Sequence, residues 1–479
     1  MQSDPMTLTL FAPLFGAILA FLFPRAARAL GLVAVLVTGG AVVWLARAVL
    51  AEGAVTLALG GWAPPLGISL RADGLSVAML AMTAAVGLLV SLGALDALRD
   101  ARQTRYFWPL WLLLLTGMNG VYLSTDIFNL YVMIEVIALA AVGLTVLSGT
   151  RAALRAGLEY MYASILGALL FLMGVGFVYL QLGRLDFAGL ITAEPSGALS
   201  AALALMVVGL ALKTALFPLH FWLPAAHANA TAPASALLSG LVVKAALYIF
   251  LRLTTYMPLP DEVLVTLIGT LGAGAVIWGG IQALRAERLK LLVAWSTVVQ
   301  IGLIFIAFAR AGQVGLTESW KAAALLILAH GVAKAAMFLA AGIYIAAIGS
   351  DRLGDMRGLA RALPMTGFAF ALASITLLGL PPSAGFTAKY LMMTAAFASG
   401  QWAWALVLAG GGLLAAAYLY RPLSAIFARD TALTPRPIPW AWQAVPLVLA
   451  ALSVALGLLS SIPFEFLQIG RPEQAAEGL

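Results

Sequence analysis

Five ionisable side chains interrupt stretches that are otherwise apolar. Glu135 lies in FNLYVMIEVIALAAVGL, Lys213 in VGLALKTALFPLHFWLP, Lys244 in SGLVVKAALYIF, Lys334 in AHGVAKAAMFLAAG and Lys389 in LLGLPPSAGFTAKYLMM. The three histidines of the chain, His220, His227 and His330, fall in or beside the same segments. A lone carboxylate or amine in apolar surroundings resists ionisation unless an opposite charge approaches it. Glu135 and Lys213 suit each other as such a pair. His330 and Lys334 stand four residues apart and so share one helical face. An imidazole beside an amine can titrate near neutral pH and hand a proton on. His220 in PLHFW reads in the same way. The chemistry these residue types support is proton transfer along a buried line. Blander readings stand beside it: a static lock for Glu135–Lys213, a hydrogen-bonded core position for each histidine, and a cap or anchor for His227 at its helix end.

Composition removes other chemistries. The chain has no cysteine, which excludes disulfides, thiolate iron–sulfur ligation and a cysteine nucleophile. Three histidines are too few for a multi-histidine metal centre or several haems. The GGW run at 60–62 does not both follow a strand and precede a helix in a βαβ unit, so it makes no phosphate loop. The net charge of +7 forms no basic stripe that would track a nucleic acid. No cofactor, no metal and no covalent catalysis are expected. Sodium would want hard oxygen ligands, and Glu135 is the one buried carboxylate evident, so sodium is expected to cross in a partner subunit.

The elements that hold these groups must span a membrane. The chain is 63% hydrophobic and 10% charged, whereas soluble chains carry roughly a quarter charged residues. With about 20 apolar residues per crossing, fourteen spans are expected, near 7–23, 29–50, 74–97, 107–123, 127–147, 157–182, 200–222, 233–254, 262–284, 290–309, 319–347, 364–398, 402–426 and 440–462. The first lacks a charged n-region and reads as a span rather than a cleaved leader. Asp126 and Asn129 read as the start of the fifth span. Trp62, Trp108, Trp111, Trp222 and Trp440 read as an interfacial belt.

Lys and Arg set the direction. One set of alternate loops holds 15 of them, among them Arg28, Arg102, Arg288, Lys290 and Arg357. The other set, with both termini, holds only Arg71, Arg184, Arg310 and Arg471. The bias puts both termini on the outer face of a prokaryotic inner membrane and requires an even number of spans. No loop is long enough for a separate core, so residues 1–479 read as one membrane domain.

Two spans carry breaks. Pro218 and Pro224 bracket LHFWL just after Lys213, and Pro381, Pro382 and Gly385 precede Lys389. A proline frees a carbonyl that lipid cannot satisfy, so each break must face protein or a wet cavity. Paired broken helices, each beside an ionisable residue, point to inverted repeats. Spans four to eight (107–254) and nine to thirteen (262–426) would be the copies, with spans one to three (1–106) before them and span fourteen (440–462) after. Simple kinks in core helices are the alternative.

ALFPLHFWLPAAHANATAPASALLSGLVVKAALY, together with FNLYVMIEV, RLKLLVAWSTVVQIG and LGLPPSAGFTAKYL, resembles a known family. It is that of the proton-conducting antiporter-like subunits of Mrp-type sodium/proton antiporters and respiratory complex I. The likeness runs over about residues 60 to 425. LGGWAPPLGISLRADGLS and TDIFNLYVMIEVIALAAVGL look most like the D subunits of the antiporters. The resemblance implies a fourteen-helix fold and a place in a larger membrane complex. It makes Glu135 and Lys213 the glutamate–lysine pair, Lys244 a bridging lysine, His330 and Lys334 the link between half-channels, and Lys389 the lysine near the outer exit. An antiporter-like subunit of complex I or of a membrane-bound hydrogenase is the alternative it allows. Ala225 stands where the family motif is usually acidic, which leaves the buried groups untouched.

Overall fold

The computed structural model describes residues 4–62, 67–194, 196–256, 262–308, 316–430 and 434–471. The chain runs through α1 (Pro5–Leu22), α2 (Ala27–Glu52), a hairpin of β1 (Val55–Ala58) and β2 (Ser69–Ala72), α3 (Gly74–Ala97), α4 (Ala101–Leu123), α5 (Ile127–Thr145) and α6 (Arg151–Leu182). Next come the short α7 (Phe187–Ile191), α8 (Gly197–Thr214), α9 (Leu223–Asn229), α10 (Ala232–Leu237) and α11 (Val243–Tyr256). Then follow α12 (Glu262–Arg285), α13 (Leu289–Phe308), α14 (Leu316–Ile348) and the single turn α15 (Leu359–Ala362). The last are α16 (Pro364–Leu378), α17 (Ala384–Ala398), α18 (Trp402–Ile426), α19 (Trp440–Leu458) and α20 (Ser461–Gln468). One π-helical turn, Leu238–Val242, joins α10 to α11, so 232–256 forms a single crossing.

Twelve of the described helices are long and apolar enough to cross a membrane. α4 opens on the polar run ARQTRY and falls outside that set, as do the shorter α16 and α17. The apolar windows of α10–α11 and α14 are wholly buried and that of α13 is 89% buried, against 33–39% for α1, α2, α12, α18 and α19. Lys244, His330 and Lys334 therefore sit on helices with no lipid-facing side, where the cost of a charged group in hydrocarbon is avoided.

The connections gather at two ends. At one, Arg71 Nη2 donates to the Gly470 carbonyl (2.6 Å), Thr125 Oγ1 to the Ser69 carbonyl (2.8 Å), and the backbone at Asp126 pairs antiparallel with that at Asp186. At the other, Arg288 meets Asp351 (2.6 Å), Arg357 meets Asp430 (2.7 Å), and the Arg436 amide bonds the Ala347 carbonyl. The arginine-rich loops share this second end. Asp126 caps α5 as expected, accepting from the Asn129 amide at 2.7 Å.

Several expectations need correction. The β1–β2 hairpin, with Val55 opposite Ala72 and Ala58 opposite Ser69, breaks the all-α pattern. A connection at the edge of the bundle satisfies its backbone groups by pairing. Span seven ends at Thr214, and 215–222 is unwound before α9. Span twelve is likewise interrupted at 379–383. Lys290 is not a loop residue: it is buried in the first turn of α13, where its amine caps the Ala230 carbonyl at the turn between α9 and α10. Arg310 lies outside the described residues. Trp62 and Trp440 are exposed, but Trp108, Trp111 and Trp222 are buried. The Trp111 indole donates to Ser91 Oγ and that of Trp222 to the Leu212 carbonyl, each at 3.0 Å. An indole with an internal acceptor has no need of the interface.

Candidate functional site

Lys213 stands in the last turn of α8, two residues before Ala215, whose φ of 59° ends the helix. Its amine donates to Glu135 Oε1 on α5 (2.8 Å) and to Ser164 Oγ on α6 (2.9 Å). α6 and α8 meet backbone to backbone here. A Cβ on Gly209 would lie 2.5 Å from the Gly167 carbonyl oxygen, so only glycine permits the approach that brings Ser164 to Lys213. The Lys213 side chain is 8% exposed and that of Glu135 is 29% exposed. Beside the pair, toward α11, lies a cavity of about 20 Å³ lined by Ile134, Tyr160, Ser164, Lys213, Val242 and Ala245. That volume holds about one water.

Lys244 comes next. Its amine bonds the Ser239 carbonyl across the π-helical turn. Such turns release carbonyls from the regular ladder and recur at functional sites. At the same turn Gly240 meets Gly331 of α14: a Cβ on either would come within 3.0 Å of the other's carbonyl oxygen. That contact sets His330 and Lys334 against the helix of Lys244. His227, buried on α9, meets Phe338 of α14 edge-on (5.9 Å), and His330 is buried on α14 one turn before Lys334. Both ring nitrogens of His227 and of His330 are buried and have no hydrogen-bond partner among the described residues. His227 is thus part of the inner cluster and not a surface anchor. His220, in the unwound 215–222 segment, stacks on Phe217 (5.5 Å) and meets Trp295 edge-on (5.4 Å).

α13 carries a polar face that hydropathy and charge did not single out. Ser239 and Thr297 share a hydroxyl hydrogen bond of 2.9 Å. Lys334 donates to the Val293 carbonyl (2.5 Å) and to Ser296 Oγ. One turn on, Gln300 Nε2 donates to the Leu377 carbonyl (3.0 Å), and its Oε1 is buried with no partner among the described residues. Lys389 reaches the same Leu377 carbonyl (2.9 Å) and that of Leu378 (2.8 Å), which the break after α16 leaves free. The polar face of α13 thus meets Lys244 (through Ser239 and Thr297) and Lys334 (through Ser296), and one turn on Gln300 shares a carbonyl with Lys389; among the described residues no hydrogen bond links these two groups. The signal for the three α13 residues was WSTVVQ, three polar residues within an apolar helix.

A family model described as NADH:quinone oxidoreductase/Mrp antiporter, TM, matches residues 124–415. The chain belongs to this family. It is 33% identical over 457 residues to the N subunit of the NADH-quinone oxidoreductase of Desulforudis audaxviator, covering 90% of each chain. It is 31% identical over 463 residues to the D subunit of the Na(+)/H(+) antiporter of Bacillus subtilis, covering 96% of this chain and 91% of that one. Among solved structures, a chain of the Mrp complex from Dietzia sp. DQ12-45-1b superposes with a TM-score of 0.88 at 26% identity over 96% of both. A chain of an archaeal respiratory membrane complex, the membrane-bound sulfane sulfur reductase, does so with 0.92 at 26% identity over the full length of both.

This member of the family has a second buried charge cluster, at the end opposite the arginine-rich loops. Arg252, eight residues after Lys244 on α11, grips Asp73 with both arms (2.7 and 2.5 Å) and bonds Ser76 Oγ (2.8 Å) and Tyr248 Oη (2.9 Å). Tyr248 donates in turn to the Tyr122 carbonyl (2.8 Å). Burial works to raise the Asp73 carboxyl, but the Arg252 guanidinium outweighs it and holds the group below the usual carboxylate range. Glu135 is therefore not the one buried carboxylate. Asp73 is more deeply buried, though both its oxygens are engaged by Arg252 and are not free for a cation.

Proposed function

We propose that the chain is the D-type, proton-translocating subunit of a multisubunit monovalent cation/proton antiporter. Protons move along Glu135, Lys213, Lys244, His330, Lys334 and Lys389 in exchange for sodium, with His220 and His227 as further relay or uptake points. The observation that carries this reading is a row of polar groups inside the bundle: the Glu135–Lys213 contact with a water-sized cavity beside it, Lys244 and Lys334 at the polar face of α13, and Gln300 and Lys389 on one carbonyl. Carbonyls only accept, so the proton would pass by water threaded between the titratable groups, with no cofactor required. Lys213 gives up or regains its hold on Glu135 as its charge changes, and the disturbance travels to the lysines beyond.

The proposed architecture is fourteen crossings: the twelve apolar helices, α4, and the broken pair α16–α17. Two inverted repeats, helices four to eight and nine to thirteen of that count, would place the breaks five crossings apart. The breaks are closed in the same way. After Ala215 (φ 59°) the Leu216 amide reaches back to Ala211, and after Gly379 (φ 75°) the Leu380 amide reaches back to Ile375. The loop charges favour both termini outside a prokaryotic inner membrane. The partners are other membrane subunits of the complex.

The 33% identity to a quinone oxidoreductase chain and the likeness to an archaeal reductase chain favour a second reading, a proton-pumping arm of a redox complex. Co-purification separates the two: small membrane-only partners support the antiporter, iron–sulfur chains the redox arm. Sodium-dependent proton flux in vesicles of the assembled complex tests the relay. Lys389→Ala and Glu135→Ala should each lower it tenfold or more, a barrier change of ~1.4 kcal/mol or more; flux left intact in both rules the relay out.

A further inference from the structure

Between α1, α4 and α5 lies a crevice of about 500 Å³, within the range of ligand sites. Its wall is apolar, with Leu14, Ile18, Leu110, Leu113 and Val146 along it. The only polar side chains in its lining, Arg102 and Tyr106, stand together at one rim, beside Leu22 at the end of α1. That rim is at the arginine-rich end of the bundle. Among the described residues Arg102 makes no ion pair and no side-chain hydrogen bond. Its neighbours are engaged: Arg28 bonds the Leu98 carbonyl (3.0 Å), Arg105 lies over the Tyr106 ring (5.5 Å), and the Asp100 carboxylate accepts from the Gln103 amide (2.8 Å). From Arg102 to Leu113 the wall rises through three turns of α4, about 16 Å at 1.5 Å per residue. That is the depth of one leaflet of a hydrocarbon core roughly 30 Å thick.

We propose that the crevice binds an anionic phospholipid of the arginine-rich leaflet. One acyl chain lies along the wall, and the phosphate sits on the free Arg102 guanidinium with the Tyr106 hydroxyl as second donor. Charge complementarity favours a headgroup that carries no amine of its own. The site is independent of the proton route, so its fate and that of the relay are separate.

The test is native mass spectrometry of the full chain extracted from vesicles of equal phosphatidylglycerol and phosphatidylcholine. The wild type should retain phosphatidylglycerol over phosphatidylcholine by about tenfold. Arg102→Gln should erase the preference. Ile18→Trp, at an exposed position, should fill the crevice and lower retention of both lipids. Thermal unfolding in phosphatidylcholine alone shows that both variants are folded. Equal retention by the wild type, or a preference that survives in both folded variants, overturns the proposal. So does an Ile18→Cys variant that crosslinks to a partner subunit in native membranes, since protein would then fill the space.

Discussion

Among the described residues, Lys213 is the one interior lysine of the route that faces a carboxylate, while Lys244, Lys334 and Lys389 bond only carbonyls and hydroxyls. Glu135→Gln keeps a hydrogen-bonding group of the same size but removes the charge, and proton flux in vesicles should fall tenfold or more, ~1.4 kcal/mol or more. Ser164→Ala removes a neutral acceptor and should cost about 1 kcal/mol, roughly fivefold in the same assay. The charged members of this set were legible because a lone Lys or Glu in an apolar run needs an explanation. Ser164, Ser296 and Gln300 were not, because neutral polar residues occur on most membrane helices and only geometry shows which ones meet. Arg252 and Asp73 escaped for another reason: at the end of a span an Arg can be read as snorkelling, and an Asp before a helix as a cap. Their pairing makes a separate stability prediction. Arg252→Met should destabilise the solubilised protein by ~3–5 kcal/mol, because it strands a buried carboxylate. The double variant with Asp73→Leu should recover most of that loss in thermal unfolding. Because Arg252 holds Asp73 below its ordinary value, the pair's stabilisation is complete above the usual carboxylate range and is lost as pH falls through the lowered native value.

The two helix breaks show how side chains and amides can meet carbonyls freed inside a membrane. The carbonyls freed at the end of α8 are met by the Trp222 indole and the Leu216 amide, those at the end of α16 by Lys389, Gln300 and the Leu380 amide. Proline spacing announced both breaks in the sequence. It did not tell how far each helix unwinds, since that depends on which side chains arrive to cap the carbonyls. The left-handed residue differs between the two: Ala215 in the first, Gly379 in the second. A non-glycine residue in that conformation costs roughly 1–2 kcal/mol. Ala215→Gly should therefore leave stability unchanged or raise it by up to about 1 kcal/mol, with flux retained. Gly379→Ala should do the reverse and more, because the added Cβ would sit 2.5 Å from Lys389 Cδ and push the amine off its two carbonyls. Thermal unfolding and flux measured on the same preparations check both: a Gly379→Ala protein with normal flux would show that the carbonyl contacts of Lys389 are dispensable.

Burial over the whole molecule follows the chemistry, with the helices of Lys244, Lys334 and Gln300 enclosed and the first two helices open. Hydropathy located the spans but could not rank them by burial, because in a membrane the inside and the outside of a bundle are equally apolar. Glu135 is where this ordering fails. Its side chain is 29% exposed, and it shares one stripe of α5 with Phe128 and Leu139, which are 47% and 69% exposed. A carboxylate on such a stripe cannot be left against lipid, where a charged group costs roughly 2.5–3.5 kcal/mol even on the mildest scales. The expected cover is another subunit of the complex. A Leu139→Trp variant should add fluorescence that acyl-chain-brominated lipids quench when the chain is reconstituted alone and quench at least several-fold less in the assembled complex. Leu139→Arg should prevent assembly while leaving the isolated chain's unfolding temperature near that of the wild type, since the side chain touches little of its own bundle. Equal quenching in both settings would mean that the flank of Glu135 faces lipid. Its carboxylate would then be held by Lys213 alone, with no partner closing the first step of the proton route.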